Sequence, residues 1–177
     1  MTDDRLFFAL WPDSGLSAAL ARQLPTLANG VAGKPQRPDQ WHVTLEFLGG
    51  VPADRQPAVW AAADRVRVEP FHVEFDLLDH WRKPQVLCLS ASRTPPELAS
   101  LVTQLRAALA AEGFTPEARE YRPHVTLARK ARTATARRLD APVDWPADGF
   151  ALVRSVTDPA GSRYEPLRWW NLGTAGG

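Results

Sequence analysis

The sequence predicts an α+β protein of two similar lobes, and three observations carry that prediction. The tetrapeptide His-Val-Thr-Leu occurs at His42–Leu45 and again at His124–Leu127, so half of the chain's 4 histidines share one motif, one copy in each half of the 177 residues. Each copy follows a leucine-bearing helix and a loop containing proline, as expected of a duplicated unit. Segments of strand and helix period alternate along the whole chain with no long linker or low-complexity run, which is the pattern of sheets with helices packed on them.

The elements follow in order. Arg5–Trp11 is a buried strand that stops at Pro12, and Asp13 with Ser14 then offers an N-cap for a helix carrying Leu16, Leu20, Leu24 and Leu27 on one side. Residues 30–39, with Gly33, Pro35 and Pro38, form a loop that delivers the first motif as a strand ending at Gly49 and Gly50. A second helix spans residues 54–66. From Phe71 to Leu77 apolar and polar residues alternate, so Phe71, Val73, Phe75 and Leu77 face a core while His72, Glu74 and Asp76 face solvent. Val86–Ser90 is a further strand, and Pro95-Pro96-Glu97 opens a helix with Leu98, Leu101, Leu105 and Leu109 that ends near Gly113. The second motif is again a strand. After an arginine-rich segment, Phe150–Val153 and Leu167–Leu172 flank Asp158–Gly161 as a closing hairpin.

Composition narrows the function classes. With 45% hydrophobic and 23% charged residues the chain is an ordinary globular one, and its net charge of +1 means that attraction to a polyanion must come from a local cluster. A small or end-on substrate is therefore expected over a long duplex. Cys88 is the single cysteine, inside the apolar run Val86–Leu89, which excludes an intrachain disulfide, fits a reducing compartment and reads as buried filler. The acidic start Met1–Asp4 leads straight into a strand, and no apolar run approaches the ~20 residues of a membrane span, so a cytoplasmic protein with no membrane partner is expected.

On a strand, residues two apart share a face, so His42 projects with Thr44 and His124 with Thr126, while Val43, Leu45, Val125 and Leu127 turn to the core. A core needs the valines and leucines but has no use for the histidines and threonines, so the repetition points to chemistry. If the two pairs face one cleft, one imidazole can take a proton from water and the other can protonate a departing oxygen, both forms being accessible near pH ~6.5. The hydroxyls can hold the oxygens of a phosphate between them. Zinc is disfavoured because neither motif carries a further ligand at suitable spacing: Glu46 shares the parity of His42 and Thr44, but Ala128 takes its place in the second copy. No G-x-S-x-G elbow, P-loop or dinucleotide fingerprint is present, so no cofactor and no metal are expected. His72 and His80 belong to a solvated strand face and receive no role.

These residues resemble the two-histidine (2H) phosphoesterases, specifically the LigT-like RNA 2′,3′-cyclic phosphodiesterases, also called 2′-5′ RNA ligases. The resemblance rests on Arg5–Leu10, Trp41–Gly49, Arg122–Arg129 and Gly161–Leu167, and covers nearly the whole chain. It implies a bilobal, pseudo-twofold fold over residues 1–177, each lobe an antiparallel sheet with helices on its outer face and a cleft between them. It implies metal-independent hydrolysis of terminal 2′,3′-cyclic phosphates to 2′-phosphomonoesters, with His42 as proton donor to the 3′ oxygen and His124 as proton acceptor from water. Thr44 and Thr126 would hold the phosphate oxygens. Arg129 matches a basic position said to face the phosphate, a role that needs a bulge or the end of the strand, because strict alternation from His124 sends it to the other face. Phe8 and Tyr164 match aromatic positions around the cleft where a base could stack, a core role being equally open.

The partner expected is an RNA ending in a cyclic phosphate, or a small nucleotide, bound by a monomer. Arg119, Arg122, Arg129, Lys130, Arg132, Arg137 and Arg138, offset only by Glu117, Glu120 and Asp140, would make one rim positive, with Arg137 and Arg138 as bystanders on a solvated helix. The motifs serve equally for reversible 2′-5′ ligation or for hydrolysis of ADP-ribose cyclic phosphate or 2′-5′ oligoadenylates. A non-catalytic module that binds RNA ends is the alternative of a different class.

Overall fold

The strand that opens the chain, β1 (Asp4–Leu10), leads into α1 (Ser14–Leu27), whose first turn is capped by Asp13: its carboxylate accepts the Leu16 N–H at 2.7 Å, worth about 1 kcal/mol. The computed structural model describes residues 3–173. β2 (Lys34–Pro35) and a single 3-10 turn at Pro38–Gln40 interrupt the loop before the first motif strand, β3 (Val43–Val51). Then come α2 (Gln56–Ala63), β4 (Phe71–Trp81), β5 (Val86–Ser90), α3 (Pro96–Ala111), the second motif strand β6 (His124–Arg129), β7 (Arg137–Ala147), β8 (Gly149–Asp158) and β9 (Gly161–Asn171).

The strands lie in the order β7-β4-β5-β6-β3-β1-β8-β9, with β2 added beside β6. All neighbours are antiparallel. The two motif strands sit at the centre, joined by one bridge, Val43 to Val125. On either side of that seam stand three further strands, so the molecule is two four-stranded half-sheets meeting along their motif strands. α1 and α3 bury Leu20, Leu24, Leu98, Leu101, Leu105 and Leu109 against one face, in the same core as Val43, Leu45, Val125 and Leu127. The motif histidines and threonines face the other way. Among the described residues no helix is long and apolar enough to cross a membrane.

Two expectations change here. The arginine-rich segment runs into β7, an eleven-residue strand with Leu139, Val143, Trp145 and Ala147 buried, rather than a solvated helix. Its alternation is masked in the sequence by Pro142 and Pro146, which β7 accommodates because it pairs with β4 alone and lies at a sheet edge. Asp76 also leaves the solvated face of β4. A register shift between Phe75 and Leu77 turns it inward, where it is only 8% exposed, accepts the Ser92 N–H and hydroxyl at 2.8 and 2.6 Å, and pairs with Arg138 at 2.8 Å. Arg138 is thus tied to the fold.

Candidate active site

The antiparallel register at the seam determines how the motif side chains meet. With Val43 opposite Val125, one step along each strand sets His42 across from Thr126 and Thr44 across from His124. Cross-strand Cα atoms lie roughly 5 Å apart and i, i+2 neighbours roughly 7 Å, so the histidines occupy opposite corners of a small rectangle, roughly 8–9 Å apart along its diagonal. A tetrahedral anion fits between them. These four residues line a cleft of about 990 Å³ together with Arg129, Phe7, Phe47, Trp81 and Tyr164.

Both motif strands carry the same bulge. In β3, Ala9 pairs with Thr44 and Phe8 with Glu46, leaving Leu45 unpaired against β1; in β6, Cys88 pairs with Thr126 and Leu87 with Ala128, leaving Leu127 unpaired against β5. The extra residue flips the alternation after each motif. Arg129, opposite Val86, therefore returns to the face of His124 and Thr126. Glu46, opposite the buried Phe8, leaves the face of His42 and Thr44, contrary to its sequence parity. It is fully buried, paired to Arg106 on α3 at 2.7 Å and accepting the Glu117 N–H at 2.6 Å. The counterpart of Arg129 in the first copy is thus Phe47, 47% exposed, so one edge of the cleft offers a cation and the other an aromatic ring.

Each imidazole is oriented by a main-chain carbonyl two residues before it. His42 Nδ1–H donates to the Gln40 carbonyl at 2.7 Å, which leaves Nε2 as the lone-pair nitrogen, and that atom lies 3.1 Å from the Thr44 hydroxyl. His124 Nδ1–H donates to the Arg122 carbonyl at 2.9 Å. Around His42 stand Phe7, Tyr164 and Trp11, with centroids at 5.0, 5.1 and 5.5 Å and the Trp11 ring nearly parallel to the imidazole. Burial pushes His42 down to about 4, opposed by the Gln40 carbonyl and aided by His124 and Arg129; burial also lowers His124. Both rings are consequently neutral in the empty cleft near pH 7, whereas the sequence alone suggests easy access to both forms. His124 packs on Trp81 at 4.5 Å, and Trp81 is held by Asp79 at 3.0 Å with the Arg122 guanidinium over its ring.

Of the two aromatic candidates, Tyr164 lines the cleft edge-on to His42. Phe8 does not: it is 0% exposed, packed edge-on to Phe150 and Trp170 on the helix-covered side, because its neighbour Phe7 takes the cleft-facing parity of β1. Phe8 is a core residue, and Phe7 stands in its place. Sequence reading also passes over Gln40, whose side chain donates to the Ser162 carbonyl at 2.6 Å and accepts the Arg37 N–H at 3.2 Å, tying the turn that orients His42 to the β8–β9 hairpin. No local pattern marks that role, since it depends on a contact distant in sequence. Cys88 is fully buried with its thiol pushed up to about 12, which removes it as a nucleophile. His72 is exposed beside Asp144, and His80 donates from Nε2 to the Ala131 carbonyl at 2.7 Å.

The model of the 2'-5' RNA ligase superfamily matches residues 16–159 of the chain. The RNA 2',3'-cyclic phosphodiesterase of Escherichia coli K12 is 30% identical over 177 residues, covering 95% of this chain and 96% of that protein. The protein of the same name from Thermus thermophilus is 32% identical over 183 residues, covering 95% of this chain and 90% of its own. Among solved structures, E. coli LigT complexed with 3'-AMP superposes with a TM-score of 0.86 at 29% identity, over 97% of this chain and 99% of that one.

Proposed function

This chain belongs to the 2'-5' RNA ligase superfamily, and on that premise we propose that it hydrolyses the 2′,3′-cyclic phosphate at an RNA end to a 2′-phosphomonoester. The observation that carries this reading is the pair of identically bulged motif strands, which brings two carbonyl-oriented imidazoles to opposite corners of one anion-sized gap with Arg129 on the same face.

The terminal phosphate sits over the seam, its non-bridging oxygens accepting from the Thr44 and Thr126 hydroxyls and from the Arg129 guanidinium. His124 Nε2 takes a proton from water as the water oxygen bonds to phosphorus. The bond from phosphorus to the 3′ oxygen breaks, and that oxygen takes its proton from His42 Nε2. The phosphate stays on the 2′ oxygen; His42 has given up one proton and His124 has taken one up. The two imidazoles contribute about 10²- to 10⁴-fold each. Phe47 and Tyr164, at the aromatic edge, take the terminal base.

The test is incubation with a short RNA ending in a 2′,3′-cyclic phosphate, in the presence of EDTA, followed by location of the phosphate in the product. Turnover to a 2′-phosphate that is lost in His42→Ala and His124→Ala, both still folded, is the expected result. A 3′-phosphate product reverses the acid and base assignments. Activity that needs zinc overturns the mechanism, and binding without turnover favours a module that recognises ends.

A further inference from the structure

A second cavity of about 660 Å³ opens beside the cleft, and nothing in the proposed reaction uses it. Asn29, Arg82, Arg132, Thr133 and Thr135 bring donors to its lining, His80 being committed to the Ala131 carbonyl, and no carboxylate lines it. The walls come from the segment after α1, from the β4–β5 turn and from the segment after β6. These three stretches, residues 29–37, 80–86 and 129–138, contain none of the chain's 20 acidic residues, although the whole molecule has a net charge of only +1. Among the described residues only Arg37 and Arg138 of the arginines in these stretches meet a carboxylate, Asp39 and Asp76 respectively. Among the described residues Arg82, Lys83, Arg129, Lys130 and Arg132 have no ion-pair partner, so the second cavity and the ridge leading to it keep their charge.

The ridge is continuous with the cleft. Arg129 lines the cleft and Arg132 the second cavity, three residues on, so their Cα atoms are at most ~11 Å apart. Between them Ala131 is fully buried, its N–H donating to the Gln85 carbonyl at 2.9 Å, and Lys130 has a φ of 55°. Gln85, across that hydrogen bond, has a φ of 54°. A left-handed conformation at a residue other than glycine costs about 1 kcal/mol or more and persists where surrounding contacts over-determine it. Here both kinks bend their segments at the junction, so that successive cations address one opening and then the other. Gly33 closes the wall: a Cβ there would lie 2.9 Å from the Arg129 carbonyl oxygen.

We propose that the second cavity is a subsite for the RNA strand upstream of the reactive end, Arg82 and Arg132 neutralising phosphodiesters while the hydroxyl and amide groups of Thr133, Thr135 and Asn29 bond the same backbone. The proposal rests on the reading of the cleft as the site of the terminal nucleotide. It makes the protein a reader of strands rather than of mononucleotides. The subsite has no part in the chemistry, so a cyclic mononucleotide does not engage it.

The experiment compares the native protein with an Arg82→Ala/Arg132→Ala variant and with an Arg22→Ala/Arg93→Ala control, which removes two arginines outside these stretches. The substrates are a 2′,3′-cyclic mononucleotide and a ten-nucleotide RNA ending in the same group. Loss of Arg82 and Arg132 is expected to raise KM for the RNA about tenfold with kcat unchanged, to leave the mononucleotide alone, and to reduce the salt slope of RNA affinity by about 1.4, since each single-strand phosphate contact contributes about 0.7. The control changes neither. Equal effects on both substrates, no effect on either, or an equal effect from the control overturns the subsite. So does polyglutamate competing as well as RNA of equal charge. Anisotropy of a labelled RNA ending in a 2′-phosphate reads the subsite without turnover: if the native protein hydrolyses neither substrate but the variant still loses RNA affinity, the activity fails and the subsite stands.

Discussion

Acidification of the cleft provides the most direct check on the electrostatics of the histidine pair. His42 is packed among Phe7, Trp11 and Tyr164 and is pushed from 6.5 down to about 4. At about 1.4 kcal/mol per unit, that is a bias of about 3 kcal/mol against the imidazolium in the empty cleft. At pH 7 only about one molecule in a thousand carries the proton that His42 is to donate. Because kcat/KM reports the free protein, it should rise about tenfold per pH unit as pH falls from 8 and level off only once His124, itself lowered from 6.5 by burial, takes up a proton. An anionic phosphate in the cleft favours the imidazolium, so the profile of kcat should lie at higher pH than that of kcat/KM.

Stability follows the same shift with a fixed sign. The folded value lies below the unfolded one, so between pH 6.5 and 4 the unfolded chain takes up a proton that the folded protein refuses. Stability is therefore unaffected above 6.5 and falls by up to about 3 kcal/mol by pH 4, a loss that His42→Asn should remove. The assays are initial rates from pH 4.5 to 8.5, thermal unfolding over the same range, and the imidazole resonances by NMR. A flat kcat/KM from pH 6 to 8, or a His42 resonance titrating at 6.5 or above, would refute the burial argument.

Three further outcomes are expected. Thr44→Val and Thr126→Val keep the shape of the side chain and remove its hydroxyl, so kcat should fall about 10²- to 10³-fold in each with KM changed little; a loss under threefold would remove the threonines from the phosphate site. Arg106→Ala leaves the fully buried Glu46 carboxylate with only the Glu117 N–H, and urea unfolding should register a loss of about 3–5 kcal/mol, partly restored by adding Glu46→Gln. Phe8→Ala and Phe47→Ala should separate core from cleft. The first costs about 3–5 kcal/mol of stability, whereas the second leaves the melting temperature nearly unchanged and raises KM about tenfold.

Much of the fold was legible because periodicity is local. The leucine spacing of α1 and α3, the Asp13 cap, the proline start of α3 and the closing hairpin each depend on residues within a few positions of one another. The strand β7 was not legible because its two prolines are tolerated only at an edge, and which strand lies at the edge is a property of the assembled sheet. Asp76 misled for a related reason: the shift that turns it inward appears in the pairing of β4 with β7, not in either strand alone.

At the site, the repeated tetrapeptide by itself determined which residues hold chemistry and that His and Thr share a face, because alternation over three residues is fixed by backbone geometry. Tertiary structure decided everything beyond the leucine of each motif. The bulges at Leu45 and Leu127 bring Arg129 into the cleft, send Glu46 to Arg106, and make Phe47 rather than Glu46 the partner of Arg129 across the pseudo-twofold. Choosing Phe7 over Phe8 required the pairing of β1 with β3. A bulge is a mismatch between two strands, so one strand's sequence does not contain it; register, and with it the direction of each side chain past the motif, exists only once the strands have paired.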